Sequence, residues 1–372
     1  MIDKEILLNA FRLMCTASSM AETYEANRQI CKYVHSTSRG HEAIQLATAF
    51  QLLPCDYISP YYRDESILLG LGFSPYTLML QLLAKGEDIF TGGKEYYSHP
   101  NYRGNDMPTI IHQSSATGMQ AIPATGIAQG LQYLEKINSP LYIKGRHAEA
   151  PIVICSLGDA SLTEGEVSEA LQIAVLKKLP IIYLVQDNDW GISVTSTEAR
   201  TMNAFDFAKG FTGLQRISID GSDFVQSYEA MGKVIAEVRK NQSPYLVHAK
   251  VPLLNHHTSG VRKESYRSKE DLEKHAQDDP LLKLTKRLLS LGFAENDLDE
   301  IASIVGDAVA EQFAGANEAP EPDVSKIEEN IFVPTSVKNE KGERSPAGKE
   351  KVMMVDAALF AIREIMEEYP EA

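Results

Sequence analysis

Asp159 and Asn188, 29 positions apart, are the residues of this 372-residue chain whose types and placement point most directly to chemistry. Each follows a short, continuously apolar run, residues 152–157 and 181–185. Such runs read as strands buried on both faces, as in a parallel sheet. Between them Val167, Ala170, Leu171, Ala174 and Val175 recur at helical spacing, so the unit reads strand, turn, helix, strand. A unit of that kind returns both strand ends to one edge of the sheet, where open α/β sheets bind ligands. A carboxylate, an amide oxygen and a free backbone carbonyl are hard oxygen donors, and they suit magnesium held also by water and phosphate oxygens. Gly158 permits a tight turn after the first strand. The stretch from Ser161 to Glu169 opens a helix whose amino end favours an anion. The composite reads as a magnesium-diphosphate site; the plain alternative is a strand closing on a Gly-Asp turn.

The elements that must position these groups predict an α/β fold, a central, mostly parallel sheet flanked by helices. Helices are expected over 3–31, from the loop 36–43 to about Leu53, over 121–134, 223–240 and within 269–316, with a short strand or turn at 56–60 and further strands at 214–219 and 245–251. Residues 92–112 read as a long surface loop. Three segments follow: a catalytic-type domain over 1–316, a Pro-rich charged linker over 317–350, and an amphipathic helix within 351–372 that bears Val355, Leu359, Ile362 and Ile365 on one side.

Composition narrows the function classes. The formal net charge of −15 argues against a nucleic-acid partner. From Gly292 onward 19 acidic residues face 7 basic ones, so the part before it is nearly neutral. No apolar run reaches the ~18 residues of a membrane span, and the amino-terminal segment lacks a signal-peptide core. Cys15, Cys31, Cys55 and Cys155 are scattered without CxxC spacing, which fits a reducing cytoplasm.

The segment running from Gly158-Asp159-Ala160 through Glu164-Gly165 to Asp187-Asn188 and Trp190-Gly191-Ile192-Ser193 resembles the thiamin diphosphate signature. More narrowly it is similar to the alpha subunit of the decarboxylating component of 2-oxo acid dehydrogenase complexes. Further segments match in order: Gly40-His41-Glu42-Ala43 (Gly-Gln-Glu-Ala in the family), Tyr62-Arg63-Asp64, Gly93-Lys94 to His99, Ser114-Ser115 with Ala121-Ile122-Pro123, Asp220-Gly221-Ser222-Asp223, and His256-His257-Thr258-Ser259. The resemblance implies a thiamin diphosphate-binding fold, with magnesium held by the side chains of Asp159 and Asn188 and the carbonyl of Trp190. It implies cofactor contacts from Tyr62, Arg63, Ser115, Gly158, Ala160, Ser161, Gln186, Ile192 and His257, with His257 and its neighbour His256 as catalytic candidates. A guanidinium is suited to bidentate phosphate contact; the plainer alternative makes Arg63 half of a surface ion pair with Asp64 or Glu65. An imidazole can exchange a proton at neutral pH, although a surface His pair is commonly idle. Two departures stand out: Ala160 replaces the signature's second glycine, and Asp187 its first asparagine.

The resemblance further implies oxidative decarboxylation of a branched-chain 2-oxo acid such as 2-oxoisovalerate, with acyl transfer to a lipoyl group, as in branched-chain amino acid catabolism. It implies a beta subunit, separate or fused, that supplies the activating glutamate, an oligomer such as a heterotetramer, and a lipoyl acyltransferase partner. The helix within 351–372 resembles the opening of such a beta part. Pyruvate- or acetoin-type alpha subunits, a non-catalytic cofactor-binding or assembly subunit, and an unrelated magnesium-phosphate enzyme are the competing readings.

Overall fold

The two apolar runs become the middle of a parallel sheet. A computed structural model of the protein describes residues 2–112, 114–139, 142, 149–332 and 351–370. Its strands are β1 (Tyr57–Ser59), β2 (Thr109–Ile110), β3 (Val153–Gly158), β4 (Ile181–Asp187), β5 (Trp190–Gly191), β6 (Val194–Thr195), β7 (Gln215–Asp220) and β8 (Tyr245–Lys250). Six of them form one sheet in the order β2-β1-β3-β4-β8-β7, with every pairing parallel. All seven residues of β4 are buried, which is why its sequence is apolar without alternation. β5 and β6 make a small antiparallel hairpin outside the sheet.

Register explains the convergence of the two distant residues. Gly158 at the end of β3 pairs with Gln186 near the end of β4. Asp159 and Asn188 therefore leave neighbouring strands at the same carboxyl edge. Between them the Gly165–Lys177 helix buries Val167, Ala170, Leu171 and Ala174 and ends on Lys178 in the left-handed conformation. The Lys4–Ala26 helix packs on the Glu295–Glu318 helix, and the Glu42–Ala49 helix on the Phe224–Asn241 helix.

The expected helix over 3–31 stops at Ala26, and the loop over 92–112 contributes β2. One compact unit comprises residues 1–130 and 143–322; residues 131–142 and 323–372 form a second. Residues just past the Glu295–Glu318 helix, expected to open a linker, are held in the first unit. Gly86 N donates to the Pro320 carbonyl (2.9 Å), and Lys85 pairs with Glu321 (2.7 Å). Most of the expected linker, 333–350, lies outside the described residues. In the second unit the Met354–Glu368 helix buries none of its residues, and its apolar positions Val355, Leu359, Ile362 and Ile365 are exposed. Among the described residues no helix is long and apolar enough to cross a membrane.

Candidate active site

A cleft at the carboxyl edge of β3 and β4 is lined by Asp159, Asn188, Trp190, Gly158, Ala160, Ser161, Tyr62, Arg63, Ser115 and His257, among others. Arg63 sets its character. Its side chain is among the largest fully buried ones, at 1% exposure, and among the described residues no carboxylate lies within ion-pair distance of it. Its Nη2 donates to the His257 carbonyl (3.0 Å) and its Nη1 reaches the Thr37 carbonyl (3.5 Å), while Nε finds no acceptor. The ion pair with Asp64 or Glu65 does not form. Asp64 instead accepts from Tyr61 N (2.9 Å), Gln45 Nε2 (3.1 Å) and Gln186 Nε2 (2.7 Å). A buried cation without a direct ion-pair partner is costly, and an anion in the cleft would relieve it.

His257 is held from both ends. The Ile192 N–H donates to Nδ1 (3.3 Å), which puts the ring proton on Nε2, 3.3 Å from the Tyr62 hydroxyl. Burial, with the charge of Arg63 added, pushes its pKa down to about 3, so the ring is neutral. Ile192 adopts φ +59°, a strained conformation for a β-branched residue, and this aims its N–H at the imidazole. Ser115 Oγ lies 2.8 Å from His99 Nε2, whose Nδ1 is anchored 2.9 Å from the Tyr97 carbonyl. Ser161 donates to the Gly158 carbonyl (2.6 Å), closing the turn after β3. The methyl of Ala160 faces Gly191, 3.4 Å from where a Cβ there would stand, an ordinary contact distance.

The two cation-type ligands are supported differently. Asp159 Oδ2 accepts from Arg200 Nη1 (2.6 Å), and Arg200 Nη2 donates to Asp187 Oδ1 (2.9 Å). Asp187 Oδ2 lies 2.9 Å from His248 Nε2, and His248 Nδ1 lies 2.9 Å from Ser218 Oγ. Burial and then the charge of Asp187 raise the pKa of Asp159 against the pull of Arg200. Burial would raise Asp187 as well, but the His248 hydrogen bond and the Arg200 charge hold it below the ordinary value. Asn188 instead meets the neutral ring of His41, its Nδ2 lying 3.2 Å from Nε2, and its Oδ1 accepts from Trp190 N (3.0 Å). Trp190 packs edge-on against Tyr266 at 5.5 Å.

Three expected contacts fall elsewhere. Gln186 is fully buried and spent on Asp64, Ser156, Gln45 and His41, away from the cleft. His256 takes Lys263 N on Nδ1 (3.1 Å) and lines a separate hollow with His35 and Thr258. Ile192 is half exposed and reaches His257 through its backbone. Sequence reasoning missed Arg200, His248 and the part played by His41. The available signal was Asp187, a carboxylate at the end of a continuously apolar run, which requires a buried partner.

The donor chemistry of the cleft suits a diphosphate and a divalent cation. The orphaned Nε and lone charge of Arg63 fit the anion. Asp159, Asn188 and Trp190 share one cleft and offer oxygen donors with a single carboxylate. Accordingly the described residues contain no group of three or more His, Cys, Asp or Glu arranged to hold a metal.

A buried guanidinium and an oxygen-donor pair lie at the carboxyl edge of a parallel sheet, the place where α/β proteins of this class hold ligands. Residues 12–325 match the family described as "Dehydrogenase E1 component". The 2-oxoisovalerate dehydrogenase subunit alpha of Bacillus subtilis (strain 168) is 30% identical over 291 residues, covering 76% of this chain and 83% of that one. The pyruvate dehydrogenase E1 component subunit alpha of Porphyra purpurea is 27% identical, covering 79% and 82%. The 3-methyl-2-oxobutanoate dehydrogenase subunit alpha of Mycobacterium tuberculosis (strain CDC 1551 / Oshkosh) is 26% identical, covering 80% and 75%. The chain belongs to the dehydrogenase E1 component family.

Proposed function

We propose that this chain is the alpha part of a thiamin diphosphate-dependent dehydrogenase that oxidatively decarboxylates a branched-chain 2-oxo acid and passes the acyl group to a lipoyl carrier. The observation that carries it is Arg63, a buried cation with no ion-pair partner among the described residues, in the cleft that also holds Asp159 and Asn188. The bound cofactor supplies a nucleophilic carbon for the 2-oxo group and an electron sink for decarboxylation. This chain supplies the grip. Arg63, Tyr62, Ser115 and the turn from Gly158 to Ser161 receive the diphosphate, and Asp159, Asn188 and the Trp190 carbonyl hold magnesium. His257, with its proton on Nε2, offers that N–H as a hydrogen-bond donor to the substrate oxygen. The Bacillus subtilis relative, at 30% identity against 27% for the Porphyra purpurea one, supports a branched-chain substrate over pyruvate.

Activity requires a beta part, because the activating glutamate belongs there. The assembly is a cytoplasmic oligomer of the heterotetramer kind that works with a lipoyl acyltransferase, and the Met354–Glu368 helix is the opening of a beta-like segment. With the beta part present, magnesium and thiamin diphosphate together should change the fluorescence of Trp190, the sole tryptophan. Asp159→Ala should abolish that response. An unchanged signal in the wild-type complex overturns the site. Turnover of pyruvate alone in a lipoamide assay overturns the substrate, and no turnover of any 2-oxo acid leaves an assembly subunit.

A further inference from the structure

We propose that His41, Gln186 and Asp64 form a positioning relay that dictates which way the Asn188 amide faces, so that its oxygen and not its nitrogen is presented to a cation in the cleft. The inference rests on the function proposed above and concerns residues that reading leaves without a task.

The direction of every hydrogen bond follows from its neighbour. Asp64, as a carboxylate, only accepts, so the end of Gln186 that lies 2.7 Å from Asp64 Oδ1 is its amide nitrogen. Gln186 Oε1 then faces the other way, where it accepts from Gln45 Nε2 (2.9 Å) and lies 2.9 Å from His41 Nδ1. Gln45 is itself fixed, because Ser66 N donates to its Oε1 (3.1 Å). Two acceptors cannot face each other in a dry interior, so His41 Nδ1 carries the proton. Among the described residues no carboxylate pairs with His41, and a neutral imidazole has one N–H. Its Nε2 is therefore a lone pair, and the Asn188 atom 3.2 Å away is the donor, Nδ2. Asn188 Oδ1 is left to Trp190 N (3.0 Å), with its second lone pair free.

Reversing the amide would set oxygen against the Nε2 lone pair and NH2 against the Trp190 N–H. His41 and the Gln45, Gln186 and Asp64 side chains behind it are at 0% exposure, so water cannot repair the clash at Nε2. Position 40 explains how the imidazole reaches so deep. Gly40 has φ +101°, and a Cβ there would stand 2.0 Å from the Pro252 carbonyl oxygen, an approach only glycine allows. Ligand orientation by partners that do not touch the metal is worth roughly 10–100-fold in affinity.

The test uses the full chain assembled with its beta part, titrated with magnesium at fixed thiamin diphosphate and read by Trp190 fluorescence. His41→Leu removes the acceptor facing Asn188 and should raise the magnesium concentration at half-response roughly 10–100-fold. His41→Gln restores an acceptor and a donor in one side chain, matches the Gly-Gln-Glu-Ala pattern, and should respond near wild type. A wild-type magnesium response in His41→Leu overturns the relay while leaving the site standing. An equal loss in both variants, accompanied by an equal loss of melting temperature, makes His41 merely structural and also overturns it. A wild-type complex that ignores magnesium overturns the underlying reading and the relay with it.

Discussion

Asn188 and Asp159 leave adjacent strands and face one cleft, yet the fold supports them in opposite ways. The side of Asn188 is dry and free of ion pairs among the described residues, a line of amide, imidazole and amide ending on Asp64, with His41, Gln186 and Asp64 at 0% exposure. The side of Asp159 is charged: Arg200 bridges it to Asp187, and Asp187 meets His248. Arg200, Asp187 and His248 also line a broad polar cavity with Ser218, Lys250 and Lys274. The difference follows from what each ligand needs. An amide has two unlike ends and must be told which one to offer, which directional hydrogen bonds do. A carboxylate has two like oxygens and needs its charge kept, which a guanidinium does. Asp187 adds a second negative charge beside Asp159 where the family signature has a neutral asparagine, and Arg200 offsets it.

Breaking the charged side should produce the larger effect. Arg200→Met leaves two buried carboxylates, 3% and 8% exposed, without their cation. Removing one partner of a buried pair costs about 3–5 kcal/mol, to be read from denaturant unfolding of the assembled chain. Asp187→Asn added to that variant should recover much of the loss, because it removes the charge that Arg200 balances. Additive losses in the double variant would mean that Arg200 does not serve to pair these two acids.

The neutral interior beyond Asn188 carries its own signature in pH. Glu65, fully buried, hydrogen-bonds with Tyr97 and lies 3.5 Å from Ser38 Oγ. Burial pushes its pKa up to about 7 from 4.5, the Tyr97 hydrogen bond opposing. An acid whose pKa is higher folded than unfolded binds its proton more tightly in the native state. Its contribution is therefore fully present below pH 4.5 and is lost as pH rises to about 7. Glu65→Gln should remove that slope, worth about 3 kcal/mol between the two limits. A wild-type slope in the variant would place the titration elsewhere.

Much of this arrangement was legible in the sequence, and what was not has a common cause. The apolar runs, the helix between them and the turn residues are local patterns, and in a parallel sheet they force Asp159 and Asn188 together. Arg63 and His257 were legible through the ordered motifs around them. Arg200 was not: it follows Asn188 by 12 positions in a polar stretch with no periodicity, and only the fold turns it back onto two carboxylates. The place of Gln186 in a motif points to the cofactor, whereas the fold spends it in the interior. Its partners His41 and Asp64 stand more than a hundred residues away. His41 and Gln186 complement each other through donor and acceptor directions, which one sequence does not display.

The far end of the charged side gives the finest test of the contrast. Ser218 Oγ lies 2.9 Å from His248 Nδ1, but Ser218 is exposed and borders the polar cavity, whereas His248 is fully buried. In Ser218→Ala, water from that cavity can take the place of the hydroxyl, so His248 keeps its ring orientation and Nε2 stays on Asp187. The expected loss is about 0.5–1 kcal/mol, the size of one replaceable hydrogen bond, with the magnesium response of Trp190 unchanged. A hydrogen-bond deletion inside the neutral relay has no such remedy, because no water reaches it. A Ser218→Ala loss matching that of a buried unsatisfied group, or a weakened magnesium response, would show that both sides are equally dry. The contrast between a directional interior and a solvated charge clamp would then be lost.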